Sequence, residues 1–111
     1  MKAVIYHNPR CSKSREALAI LEAAGADVTI VEYLKTPPEA GELARLYAKA
    51  GMTAAEGLRA AEADARPLRG ADEATILAAM AANPILIERP LVETARGVRL
   101  GRPPEKVREI L

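Results

Sequence analysis

Residues 3–31 read AVIYHNPRCSKSREALAILEAAGADVTIV, and the change of rhythm inside that stretch sets the fold class. Ala3 to Tyr6 form a short, continuous apolar run that is broken at once by His7-Asn8-Pro9, as suits a strand covered on both faces of a parallel sheet. From Ser12 the apolar positions Ala17, Leu18, Leu21 and Ala24 recur on one helical stripe. Gly25 follows, where the end of a helix favours a residue that tolerates a left-handed backbone. Val28, Ile30 and Val31 then give a second apolar run, so the opening third reads as strand, helix, strand with a right-handed crossover. That places the chain in the α/β class.

Helical punctuation dominates the middle. Thr36-Pro37-Pro38-Glu39 has the spacing of a capping box with proline at the first helical position, ahead of a stripe at Ala40, Leu43, Ala44, Tyr47 and Ala50 that stops at Gly51. Thr53 to Glu56 offers a second capping box and a short helix through Leu58. A third helix is expected from about Asp72 through Ile76, Leu77 and Met80 to Asn83-Pro84. Three helices exceed what one crossover needs, so part of this segment reads as an insertion. After Pro84, PLVETA and VRL flank a turn at Arg96-Gly97, which is a hairpin signal. GRPPEKVREIL then opens a last helix with proline at its start and Val107, Ile110 and Leu111 facing inward.

The chain has 111 residues, enough for one domain with a real core, and that core must be built from Ala, Leu, Ile and Val because Phe and Trp are absent. A net charge of +1 gives no electrostatic case for nucleic acid or a membrane surface. One cysteine excludes an internal disulfide framework, and the apolar run in MKAVIYHNP is too short for a signal peptide or a spanning helix. The expectation is a soluble, cytoplasmic protein among reduced thiols.

The single cysteine, Cys11, stands four residues after the single histidine, His7, at the edge of the first helix. Unpaired N–H groups and the positive dipole end at a helix start favour an anion, and a thiolate is one. A free thiol titrates near about 8.5, whereas a helix N-terminus with a nearby cation lowers that value and ionises the sulfur. His7, Arg10, Lys13 and Arg15 are candidate cations, and Ser12 and Ser14 add hydroxyl donors. The spacing separates the cysteine chemistries. A dithiol redox motif needs a second cysteine three residues on, where Ser14 stands, so an oxidised Cys11 must be rescued by an external thiol. A tyrosine-phosphatase-type loop needs arginine six residues on, where Ala17 stands. No soft ligand set for a metal accompanies Cys11.

YHNPRCSKSREAL, together with ERPLV at Glu88 to Val92 and GRPPEKVREIL at the end of the chain, resembles the glutaredoxin-dependent arsenate reductase (ArsC) family, especially its compact YfgD-like members. The resemblance spans nearly the whole chain. It implies a thioredoxin-like fold in which a mixed four-stranded sheet is flanked by helices, as one domain over 1–111 with a helical insertion at about 38–83. It implies a catalytic Cys11 with a pKa lowered by His7 and assisted by Ser14, and an oxyanion held by Arg59, Arg89 and Arg102. The substrate would be arsenate or a similar small oxyanion, with glutathione as cosubstrate, glutaredoxin as partner and no tightly bound cofactor. Guanidinium forks suit such a tetrahedral anion, since they bind it in bidentate fashion and keep their charge. In thioredoxin-like folds a proline in the position of Pro90 is typically cis and beside the active cysteine, and Arg102 precedes a proline-started helix. The same superfamily includes regulators of the Spx type, so a regulatory or adaptor protein without reductase activity is the alternative. Ser14 in place of the second cysteine of the usual Spx switch weakens that reading.

Overall fold

The computed structural model describes all of residues 1–111. Backbone proximity divides the chain into two compact units, Met1–Thr36 with Arg89–Leu111, and Pro37–Glu88. No helix is long and apolar enough to cross a membrane.

The first unit is built on a mixed four-stranded sheet. Strand β1 (Lys2–His7) is central, parallel to β2 (Asp27–Glu32) on one side and antiparallel to β3 (Leu91–Thr94) on the other, and β4 (Gly97–Leu100) closes the order β2-β1-β3-β4. The apolar run of β1 has the burial it announced, with Ala3, Ile5, Tyr6 and His7 all buried. β2 is an edge strand, and its apolar run is much less covered: Ile30 stays 50% exposed. Helix α1 (Ser12–Ala23) lays Ala17 and Leu21 against Ala3, Ile5 and Val92. Ala24, expected on that stripe, is exposed because it is already the helix cap, and Gly25 turns the chain with φ +75°. Val107 and Ile110 complete the core from a 3-10 segment, Pro104–Ile110, while Leu111 is only partly covered. Their spacing of three matches the tighter 3-10 repeat. The hairpin turn falls one residue earlier than its sequence signal. Ala95 and Arg96 form it, and Gly97, with φ +145°, opens β4 opposite Thr94.

The second unit holds two α-helices where three were expected. Helix α2 (Ala40–Ala50) begins after Glu39, an extended residue with no side-chain cap bond, so Thr36-Pro37-Pro38-Glu39 does not act as a capping box. The paired prolines explain the delay, since Pro38 steers Pro37 away from helical geometry. At Thr53-Ala54-Ala55-Glu56 the reciprocal bonds do form: Thr53 N–H reaches Glu56 Oε1 at 2.9 Å and Glu56 N–H reaches Thr53 Oγ1 at 3.2 Å. No helix grows from them. Gly57 offers its carbonyl to Glu88 N–H, Arg59 N–H donates to the Leu86 carbonyl, and Leu58 bridges to Ile87, so chain-to-chain pairing replaces helical bonding. A Cβ at Gly57 would collide with the Tyr47 ring, which accounts for glycine there. Helix α3 (Glu73–Ala82) starts where expected and is capped by Asp72, whose carboxylate accepts from Thr75 N–H at 2.7 Å. Its buried residues are Ile76, Leu77 and Met80, and those of α2 are Leu43, Leu46 and Tyr47; the Tyr47 hydroxyl lies 3.7 Å from the Met80 sulfur.

Candidate active site

The turn between β1 and α1 is held by its own polar groups. Cys11 N–H donates to the Asn8 carbonyl at 3.0 Å, and the Asn8 side-chain oxygen accepts from Arg10 N–H at 3.0 Å. Arg15, one turn into α1, reaches back and donates from Nη1 to the Pro9 carbonyl at 2.9 Å. Cys11 thereby becomes the N-cap of α1, with extended backbone angles of −93° and 121° and a partly exposed side chain. Its position at the carboxyl end of β1 follows the sequence expectation.

Burial pushes the Cys11 thiol up. The opposing influences outweigh it: the N–H of Ser14, the charge of Arg89, the N–H of Lys13 and a hydrogen bond from the Arg89 side chain leave the pKa below its ordinary value. Cys11 closes no side-chain capping bond of its own, and the helix start acts on the sulfur through the N–H groups of Ser14 and Lys13. The cation beside the thiol is Arg89, one of the expected oxyanion-binding arginines. His7 has a different immediate partner.

His7 is buried, and its Nδ1 lies 2.6 Å from Oγ of Ser14, which is wholly buried. The same Oγ accepts from Asn8 N–H at 3.0 Å. Burial lowers the His7 pKa, Glu32 opposes that shift and Arg15 adds to it, so the imidazole is mainly neutral at pH 7. Ser14 thus joins two elements of the site, its N–H acting on the sulfur and its hydroxyl on the histidine. A His7 pKa below the unfolded value of about 6.5 means that its contribution to stability is full above about 6.5 and is lost as pH falls through the folded value. We expect the urea midpoint to fall on mild acidification in the wild type and His7→Asn to flatten that part of the profile. Parallel profiles for the two proteins would contradict the buried, neutral imidazole.

Arg89 and Arg102 lie in the same unit as Cys11. The Arg89-Pro90 bond is cis, as expected, and Arg102-Pro103 is cis as well, which the sequence did not announce. The two arginines are linked, Arg102 Nη1 donating to the Arg89 carbonyl at 3.2 Å. Arg59 belongs to the second unit, where it is partly buried and its Nη1 lies 3.6 Å from Glu62 Oε2. The sequence reading passed over Asn8, and it took Arg15 for a candidate thiol cation where the structure shows a clamp on the turn. An Asn-Pro pair directly after a strand is a turn signal that could have found the first.

The ArsC family model matches residues 6–110, from the end of β1 almost to the end of the chain. The chain belongs to the ArsC family. It is similar to a protein of Rhizobium meliloti named arsenate reductase, with 44% identity over all of this chain and 82% of that one. It is similar also to the uncharacterized protein YfgD of Escherichia coli, with 45% identity over 96% of this chain and 94% of that one. Among solved structures, an arsenate reductase from Vibrio cholerae superposes with a TM-score of 0.93 at 46% identity, covering 100% of this chain and 98% of its own. The mixed sheet of this ArsC-family chain, with its flanking helices, is therefore a thioredoxin-like fold.

Proposed function

We propose that this ArsC-family chain is an arsenate reductase that uses Cys11 as nucleophile and an external thiol as reductant. The observation that carries this reading is a lone cysteine at the start of α1 whose ionised form is favoured by N–H groups and by Arg89. The thiolate attacks the arsenic(V) of arsenate, an S–As bond forms and a protonated oxygen leaves as water. Glutathione then supplies the electron pair: arsenic is reduced by two electrons and departs as arsenite, and Cys11 is left in a mixed disulfide with glutathione. A second thiol, delivered by glutaredoxin, reduces that disulfide and restores Cys11. No second cysteine in the chain can do so. Arg89 and Arg102 are the oxyanion ligands in this scheme, and Arg59 is included on the family motif. Ser14 and His7 support the thiolate.

The test is arsenite release from arsenate by the purified protein, with glutathione and glutaredoxin each supplied or withheld. Full turnover is expected only with both. Release with neither, or no release with any thiol donor, would overturn the proposal, and the second result would favour the adaptor reading.

A further inference from the structure

His7 is engaged on one side by Ser14, yet it also lines a cavity of about 270 Å3 together with Asn8, Arg10, Glu32 and Lys35. Ser14, wholly buried, does not line it. Glu32 is the residue paired with His7 in the parallel register of β1 and β2. Side chains alternate along a strand, so Ala3, Ile5 and His7 share one face of β1. Ala3 and Ile5 pack with α1, and Val28 of β2 packs against the same cluster. Glu32 lies on that face, four residues beyond Val28 and in register with His7, on the side from which α1 presents Ser14.

We infer that Glu32 is a positioning residue for His7: from the adjoining strand it holds the neutral imidazole as the Nε2–H tautomer, so that Nδ1 accepts the Ser14 hydroxyl proton. This deepens the function proposed above and rests on it for its catalytic meaning. The hydrogen-bond inventory at Ser14 supports the assignment. Its oxygen accepts from Asn8 N–H and keeps one proton to give, and in the Nε2–H tautomer the acceptor at 2.6 Å is His7 Nδ1. A carboxylate on the cavity side favours the proton on the other nitrogen, and the nitrogen left bare is fixed by what the first one binds. Ser14 is then locked with its hydroxyl turned toward His7 and its N–H turned toward the sulfur. The charged groups near His7 act on it in opposite directions. Arg15 of α1 disfavours the imidazolium and Glu32 favours it, while Arg10 and Lys35 line the cavity. Lys35 Nζ also lies 3.5 Å from Glu32 Oε1 in an exposed pair.

Because His7 is the single histidine, nitrogen-15 NMR of the free protein reads its tautomer and titration without ambiguity. The wild type should show a protonated Nε2 and a bare Nδ1 at neutral pH. Glu32→Gln should move the His7 midpoint to lower pH, Glu32→Asp should give an intermediate midpoint, and Glu22→Gln, an exposed carboxylate on α1, should leave it unchanged. A protonated Nδ1 in the wild type, or a midpoint in Glu32→Gln equal to the wild type, overturns the inference. No arsenate or thiol donor enters this measurement, so its failure is distinct from failure of the proposed reduction. In an active enzyme, the acid limb of the arsenite-release profile should move in Glu32→Gln in the same direction as the NMR midpoint. A fixed limb would remove the catalytic meaning of Glu32.

Discussion

Cys11→Ser should reduce arsenite formation by at least about a thousandfold, the scale of loss expected when an enzyme's nucleophile is removed. The substitution is a clean one structurally. Cys11 is the N-cap of α1, and serine is among the preferred residues there, so the helix start keeps its geometry or gains a side-chain bond. A hydroxyl cannot ionise under these conditions, and it cannot form the disulfide through which glutathione delivers electrons. Unfolding midpoints should therefore match the wild type while turnover disappears. Substantial arsenite release by a folded Cys11→Ser protein would place the redox step outside this site.

Arg89→Ala should lower kcat/KM for arsenate on the order of ten- to a hundredfold. The charge-assisted bonds that a guanidinium offers an oxyanion are worth about 1.5–3 kcal/mol, and about 1.4 kcal/mol is a factor of ten. The same substitution should raise the Cys11 pKa, since Arg89 acts on the sulfur through both its charge and a hydrogen bond. Arg89→Lys should recover part of the rate, because the charge remains while the planar fork is lost. Arg59→Ala and Arg102→Ala are expected in the same range. Arg45→Ala and Arg108→Ala, which remove exposed side chains, should change the rate little. Equal effects at all five positions would refute a specific oxyanion cluster.

Where one physical signal dominated locally, it could be read from residue types alone. The strand, helix, strand opening came from a switch between continuous and helical apolar spacing, and helix α3 and the β3–β4 hairpin were likewise legible. Errors arose where tertiary pairing or a proline pair overrode a local rule. Thr53-Ala54-Ala55-Glu56 makes its capping bonds, yet Leu58 and Arg59 are taken up by Ile87 and Leu86. Thr36-Pro37-Pro38-Glu39 has the letters of a cap without the backbone freedom to be one. At the site, Cys11 and Ser14 could be singled out because spacing along a helix brings them together. That His7 bonds Ser14, and that Arg89 acts on the sulfur itself, depends on β1, β3 and α1 being assembled; the sequence offered only Pro90 beside Arg89 and the spacing of His7 from Cys11 as pointers. Glu32 was hidden for the same reason, since only strand register sets it against His7.

The start of α1 and Arg89 together lower the pKa of the Cys11 thiol and so favour its thiolate. Thiolate ultraviolet absorbance measured against pH tests it most directly, because the chain has one cysteine and the signal has one source. The wild type should show a midpoint below the ordinary value of about 8.5, and Arg89→Ala a higher one. A wild-type midpoint at or above about 8.5, or one that does not respond to Arg89→Ala, would contradict it.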